Sequence, residues 1–313
     1  MIDKPNLIIT SEFHAETVAK LDMLYNTHHL WKYSGLEKLE LLKSLGGSCQ
    51  AIATASWIND DSIYQLNSLK LIACFGVGVD AIDFALAESR KIRVSNTPDV
   101  LNDSVADIAL SLILATSRNI VNADSFVRKQ GWHNGPFPFR HSLKGKTLGI
   151  IGLGRIGEAI VERALPFKLK IAYHNRSRKD LPYRYYSSIA ELATNSDILL
   201  CMLPGGEKTR NVIDEAVFEA LGQEGIFINV GRGTSVDESA LARALKSKQI
   251  AGAGLDVYAN EPCVPEALIE EENIVLLPHI GSSVFETRTE MGNLLIKNLE
   301  AFFANRPLIS EVR

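Results

Sequence analysis

The 313-residue sequence predicts an α/β protein of two domains, each built on a doubly wound parallel sheet. Three observations predict it. The chain is too long for one small core and suits two lobes of ordinary size. Short apolar runs alternate with polar helical stretches from the start, as in parallel βα folds. A second, separate series of apolar runs opens on a glycine-rich turn at KTLGIIGLG.

In the first series the strands are NLIIT, QAIATA, LKLIACFG and KIRVSN, with AETVAKLDMLYN as the first helix. The run Ser104 to Arg118, SVADIALSLILATSR, has apolar residues on most faces and is expected to be a largely buried helix. Lys129 to His141, KQGWHNGPFPFRH, is rich in Gly, Pro and aromatics and reads as a structured loop, either a linker or a wall of a site or dimer interface. The second series runs KTLGIIGLG, LKIAYHN, DILLCML, GIFINVG, AGAGLDVY and NIVLLPH, six apolar strands in one sheet. The last stretch, ETRTEMGNLLIKNLEAFFANRP, has helical periodicity with Leu294, Leu295 and Leu299 on one side, and is expected to pack back on the first lobe. The smaller domain is then discontinuous, residues 1–97 with 285–313, and flavodoxin-like. The larger, residues 98–284, opens its sheet on the GLGRIG turn expected of a Rossmann dinucleotide-binding domain, with the cleft between the lobes.

Composition narrows the function classes. Hydrophobic residues are 46% and charged residues 22%, a globular balance that excludes disorder. Net charge is −4 and no Lys/Arg run forms a basic stripe, so small molecules are expected rather than nucleic acid or a membrane surface. The opening MIDKPNLIIT lacks the layout of a signal peptide, and no apolar run reaches the ~20 residues of a membrane helix. Cys49, Cys74, Cys201 and Cys263 form no CxxC pair and read as buried free thiols, not a metal site or disulfides, which places the chain in a reducing cytosol.

The chemistry begins at Gly152, Gly154 and Gly157, spaced G-x-G-x-x-G between a strand and a helix. Gly152 permits the turn, Gly154 lets backbone approach a pyrophosphate, and Gly157 lets helix and strand pack closely; amides at the helix start, Arg155 and Ile156, face the anion. About 20 residues on, a carboxylate would accept the ribose 2′-hydroxyl of NAD. The position falls near Asn175, and Arg176, Ser177 and Arg178 follow it. Cations there would hold the 2′-phosphate that a carboxylate repels, so NADP(H) is expected in preference to NAD(H). A strand end carrying solvated arginines is the alternative.

Three more strand ends carry polar groups: Arg232 in INVGRG, Asp256 and Glu261 in LDVYANEP, and His279 in LPHIGSS. Together they provide what reduction of a 2-keto acid needs. Arg232 can hold the carboxylate and stabilise the developing oxyanion, His279 can donate a proton as general acid, and Glu261 can favour the charged imidazole.

In order along the chain, FGVGVDAID, NTPDVLNDSVADIAL, GIIGLGRIG, INVGRGTSVDE, AGAGLDVYANEP and LLPHIGSS resemble the D-2-hydroxyacid dehydrogenases. Within them the chain is similar to the glyoxylate/hydroxypyruvate reductase and hydroxyphenylpyruvate reductase branch. The resemblance implies substrate-binding, His-polarising and acid/base roles for Arg232, Glu261 and His279. It implies backbone contacts from Val77 and Gly78 to the substrate carboxylate, where the glycine-rich turn alone is equally compatible with a plain turn. It places Leu203, Pro204 and Thr209 over the adenosine, Asp256 at the nicotinamide carboxamide, and Val230, Gly231, Arg232, His279 and Gly281 along the nucleotide. A homodimer and D-configured products follow from it too, the dimer through the helix ending at Arg118 and the loop beyond.

Departures are Gly231, where the family carries various small residues, and HNRSR in place of the acid. Formate dehydrogenases pair their histidine with glutamine, which Glu261 argues against. Phosphoglycerate dehydrogenases commonly carry a further regulatory domain. Nucleotide-sensing corepressors share the fold and catalytic set and are separable by turnover. Glyoxylate and hydroxypyruvate come first among substrates, hydroxyphenylpyruvate and 2-ketogluconate behind. Trp57, Trp132, Phe137 and Phe139 are candidates for the side-chain pocket, although aromatics in such loops more often serve core or interface.

Overall fold

The computed structural model describes residues 4–55 and 61–312, so the reading at Trp57 lies outside the described residues. The chain forms two compact units, Met1–Leu101 with Val284–Arg313, and Asn102–Ser283. The first crossing lies beyond Thr97-Pro98. Thr97 exchanges bonds with Gly76, its amide to the Gly76 carbonyl (2.9 Å) and its hydroxyl accepting from the Gly76 amide (3.0 Å), and so stays with the first sheet.

The first unit holds β1 (Asn6–Ile9), α1 (Ala15–Leu24), β2 (Asn26–His29), α2 (Gly35–Leu45), β3 (Ala51–Ala55), β4 (Leu71–Phe75), α3 (Phe84–Ser89) and β5 (Arg93–Ser95). The strands are parallel in the order β2-β1-β3-β4-β5, the 2-1-3-4-5 order of flavodoxin-like sheets. Every residue of β3 and β4 is buried, as expected where helices cover both faces of a parallel sheet. β2 escapes a reading by hydrophobicity because NTHH is polar; it is an edge strand.

The second unit holds α4 (Asn102–Arg118), α5 (Ile120–Arg128), β6 (Thr147–Ile151), α6 (Arg155–Ala164), β7 (Lys170–His174), β8 (Arg184–Tyr185) and α7 (Ile189–Thr194). It continues through β9 (Ile198–Cys201), α8 (Glu215–Leu221), β10 (Ile226–Asn229), α9 (Glu238–Lys246), β11 (Gly252–Leu255), α10 (Glu266–Ile269) and β12 (Ile274–Leu276). The parallel order β12-β11-β10-β9-β6-β7-β8 is the Rossmann order, and it reverses between β6 and β9. The sheet has seven strands where six were expected. The extra one, β8, is two residues long, too short to show any alternation.

α4 is also less enclosed than its composition predicts. Val105, Ala106, Ala109, Leu112 and Ile113 form one buried face against α6 and β11, while the outer face is half-exposed. Cys49, Cys74 and Cys201 are buried and free, but Cys263 is exposed in the loop after β11. Burial pushes the thiols up, Cys49 to about 11 and Cys74 to about 12.

The chain returns to the first unit through α11 (Phe285–Phe303), which packs on β4 and α1, and ends in β13 (Glu311–Val312), antiparallel to β5. An Arg93–Glu311 pair (2.8 and 3.0 Å) marks that pairing. Among the described residues no single helix is long and apolar enough to cross a membrane.

Candidate active site

β6 delivers Gly152 into a turn with φ +91°, and a Cβ there would lie 3.1 Å from the Met202 carbonyl oxygen, so a side chain would be both strained and crowded. Gly154 caps α6, and the space its Cβ would take is open. An open approach to the first amides of a ten-residue helix suits an anion. The turn is secured from the next strand. Asn175 accepts from the Leu153 amide (2.7 Å) and donates to the Leu153 carbonyl (3.1 Å), so the residue just after β7 also fastens the glycine turn.

A cavity of about 850 Å³ extends from Gly152 and Gly154 past Arg176, Ser177 and Lys179 to Leu203, Pro204 and Thr209 on the facing loop. Arg176, Ser177 and Lys179, the last also paired with Glu158 at 3.1 Å, place two cations and a hydroxyl after β7, a set that fits a 2′-phosphate. The acid that also borders the cavity, Glu207, sits on the facing loop and pairs with Arg210 at 3.0 Å. The basic set differs from that read in the sequence: Arg178 is exposed and does not border the cavity, whereas Lys179 does. Arg155, Ile156, Gly157, Val230, Gly231, Asp256 and Gly281 do not border it either.

The second cluster arises because β10, β11 and β12 are neighbours in register, Asn229 beside Leu255 and Leu255 beside Leu276, so their carboxyl ends emerge together. From the first end, Asn229, 1% exposed, accepts from the Gly231 amide and donates to the Arg232 carbonyl, both at 3.0 Å. That staple fixes the backbone from which the half-buried Arg232 projects. Sequence reasoning missed it, although a polar residue ending an apolar strand before two glycines was the available sign.

From the second end, Asp256, also 1% exposed, accepts from the amides of Ile280 (2.7 Å) and Gly281 (2.8 Å). Burial raises its carboxyl above the ordinary value despite those bonds and the nearby His279. Asp256 therefore ties down the loop carrying His279. That residue holds a left-handed backbone (φ +53°), a conformation that costs a non-glycine residue about 1–3 kcal/mol and gathers at functional sites.

Nδ1 of His279 lies 2.7 Å from Oε2 of Glu261, whose Oε1 accepts from the Tyr258 amide at 3.0 Å. Burial by itself would raise the Glu261 carboxyl. The hydrogen bond and charge of His279, the Tyr258 amide and the charge of Arg232 outweigh it and hold the group below its ordinary range. A mostly apolar cavity of about 290 Å³ borders the pair, lined by Tyr258, Pro262, Val264 and Leu276 among others. Trp132, Phe137 and Phe139 border neither this cavity nor the larger one; Phe137 packs on Phe126.

Val77 and Gly78 lie in the first unit, in the turn after β4. Asn96 donates to the Val77 carbonyl (2.8 Å), and Ser310, held by the buried Asn298, donates to the Asn96 carbonyl (2.6 Å). The returning C-terminal segment thus braces this turn, a relation invisible at a sequence separation above two hundred residues. Among the described residues no group of His, Cys, Asp or Glu could hold a metal.

Comparison with known proteins identifies the family. Residues 110–281 match the D-isomer specific 2-hydroxyacid dehydrogenase, NAD binding domain. The chain is 43% identical to a glyoxylate/hydroxypyruvate reductase A of Arabidopsis thaliana over 94% of each chain. It is 46% identical to a hydroxyphenylpyruvate reductase of Plectranthus scutellarioides, covering 87% of this chain and 86% of that one. A crystal structure of an NADPH-dependent glyoxylate/hydroxypyruvate reductase from Sinorhizobium meliloti, in complex with NADP and malonate, superposes with a TM-score of 0.91 at 36% identity, covering 99% of this chain and 97% of that one.

Proposed function

The chain belongs to the D-isomer specific 2-hydroxyacid dehydrogenase family of NAD(P)-dependent oxidoreductases, and from that premise we propose that it reduces glyoxylate or hydroxypyruvate to the D-2-hydroxy acid with NADPH. The observation that carries the reading is the 2.7 Å His279–Glu261 pair, with Arg232 acting on the same carboxylate.

Gly152, Gly154, Arg176, Ser177, Lys179, Leu203, Pro204 and Thr209 would hold the nucleotide, with Arg176 and Lys179 on the 2′-phosphate. When bound, its reduced nicotinamide supplies a hydride to the keto carbon. Arg232 orients the keto acid through its planar donor fork and stabilises negative charge on the carbonyl oxygen. His279, its Nδ1–H held by Glu261, donates the Nε2 proton to that oxygen; in the reverse direction the neutral ring takes the proton back. Val77 and Gly78 are assigned amide contacts to the substrate carboxylate, which makes the unit Met1–Leu101 with Val284–Arg313 the substrate-binding domain and Asn102–Ser283 the dinucleotide-binding domain.

A homodimer is supported by α5, where Ile120, Val121 and Val127 are each at least 50% exposed, and by Trp132 and Phe139 beyond it. The free buried thiols support a cytosolic setting. A second reading, reduction of hydroxyphenylpyruvate, is favoured by the apolar cavity beside His279. Initial rates with glyoxylate, hydroxypyruvate, phenylpyruvates, 2-ketogluconate and pyruvate, each with NADPH and NADH, test both. The highest kcat/KM is expected for glyoxylate or hydroxypyruvate with NADPH. A preference for NADH would overturn the cofactor assignment, and nucleotide binding without turnover would leave a sensing scaffold.

A further inference from the structure

We propose that Glu238, six residues after Arg232 and in the first turn of α9, is a positioning residue for the Glu261–His279 pair, acting through the backbone amide of Ala259. The inference rests on the catalytic reading of that pair.

Two consecutive amides in the segment after β11 are each received by a carboxylate. Tyr258 donates to Glu261 (3.0 Å) and Ala259 donates to Oε1 of Glu238 (2.8 Å). The first bond orients the carboxylate that holds His279, and the second fixes the peptide plane beside it. The segment bearing Glu238 is itself rigidly placed. The Arg232 carbonyl accepts from Asn229 and from the Ser235 hydroxyl (2.7 Å), Asp237 caps α9 by accepting from the Ala240 amide (2.9 Å), and the Asp237 amide bonds the Ile213 carbonyl (2.9 Å). Gly233 presses so closely on the Tyr258–Ala259 peptide that a Cβ would lie 1.8 Å from the Tyr258 carbonyl carbon. Segment 232–238 therefore works as a template on which the 258–261 turn is cast, with Arg232 at one end and Glu238 at the other.

The clamp joins the substrate-binding guanidinium to the orientation of the general acid. It also sets two carboxylates near each other, and burial together with the charge of Glu261 pushes the Glu238 carboxyl up. A chain that needed only a surface-exposed helix start would have no use for a half-buried acid there. Around Glu261 stand His279 and Arg232, with Asp256, Tyr258 and Glu238 as further titratable neighbours.

The experiment compares E238A, E238D and E238Q in the full-length enzyme with an H279Q control. Glutamine keeps an acceptor at the same reach without charge, and aspartate keeps the charge but falls short of the amide. The expected result is kcat within threefold of wild type for E238Q and at least tenfold lower for E238A and E238D, with KM for NADPH unchanged within threefold. In E238A and E238D the alkaline fall of kcat/KM moves to lower pH as Glu261 loses its alignment with the imidazole, and deuterium uptake in residues 256–263 speeds up in the free protein. Wild-type kcat in both E238A and E238D, an active E238D beside an inactive E238Q, or equal loss in all three overturns the proposal; if E238A does not fold, the order of E238D and E238Q decides. Full turnover in H279Q would instead overturn the reading of the pair itself.

Discussion

At the scale of single residues, the proposed chemistry depends on one proton position and one charge next to it. His279→Gln removes the general acid and is expected to lower kcat by about 10²- to 10⁴-fold, read by steady-state kinetics with glyoxylate and NADPH. Glu261→Gln keeps the shape and removes the charge that favours the imidazolium, so the alkaline limb of the reduction profile moves to lower pH; an unmoved limb would show that the carboxylate does not support the ring. The same group bears on stability. The Glu261 carboxyl lies below its ordinary range in the folded protein, so its contribution is complete above the unfolded carboxylate value and is lost as pH falls through the lowered one. Acid titration of Tm is expected to be shallower in E261Q than in wild type. At the nucleotide's far end, Arg176→Ala is expected to raise KM for NADPH about tenfold and leave NADH alone, a discount on ~1.5–3 kcal/mol for a charged hydrogen bond because the residue is exposed. Arg178→Ala, off the cavity, should change neither.

At the scale of elements, three parallel strands ending side by side create the cluster, and short-range staples aim it. Asn229 is the plainest case: truncation to Ala leaves the buried Gly231 amide without its acceptor, at a cost of about 1–3 kcal/mol, and frees the Arg232 backbone. Asn229→Ala is expected to raise KM for the keto acid more than KM for NADPH and to lower Tm by several degrees; equal changes in both KM values would mean a general loosening of the sheet end. How far elements could be read in advance depended on their length and polarity. β3, β4 and the long apolar strands of the second unit declare themselves by composition. β2 is polar, while β8 and β13 are two residues each, and all three exist only because a neighbouring strand offers them an edge.

At the scale of the whole molecule, the proposed dimer rests on the exposed apolar residues of α5 and of the Trp132–Phe139 loop. Ile120→Asp with Val127→Asp is expected to convert a dimer to monomers in light scattering, halving the measured mass; a wild-type chain that already runs as a monomer would remove the dimer. The family, the two parallel sheets, the glycine cradle and the cationic strand end were all legible in the sequence. They depend on local features, namely hydrophobic period, a glycine spacing and the charge of adjacent residues, which linear order preserves. The rest waited on folding: the Asn229 and Glu238 bonds, the two amides gathered by Asp256, the left-handed backbone at His279, the one-sided burial of α4 and the exchange of Arg178 for Lys179 at the cavity. Each is a matter of direction or of distance between groups that linear order does not specify. Residue identity fixes which groups are available, but only the packed backbone decides which of them face one another.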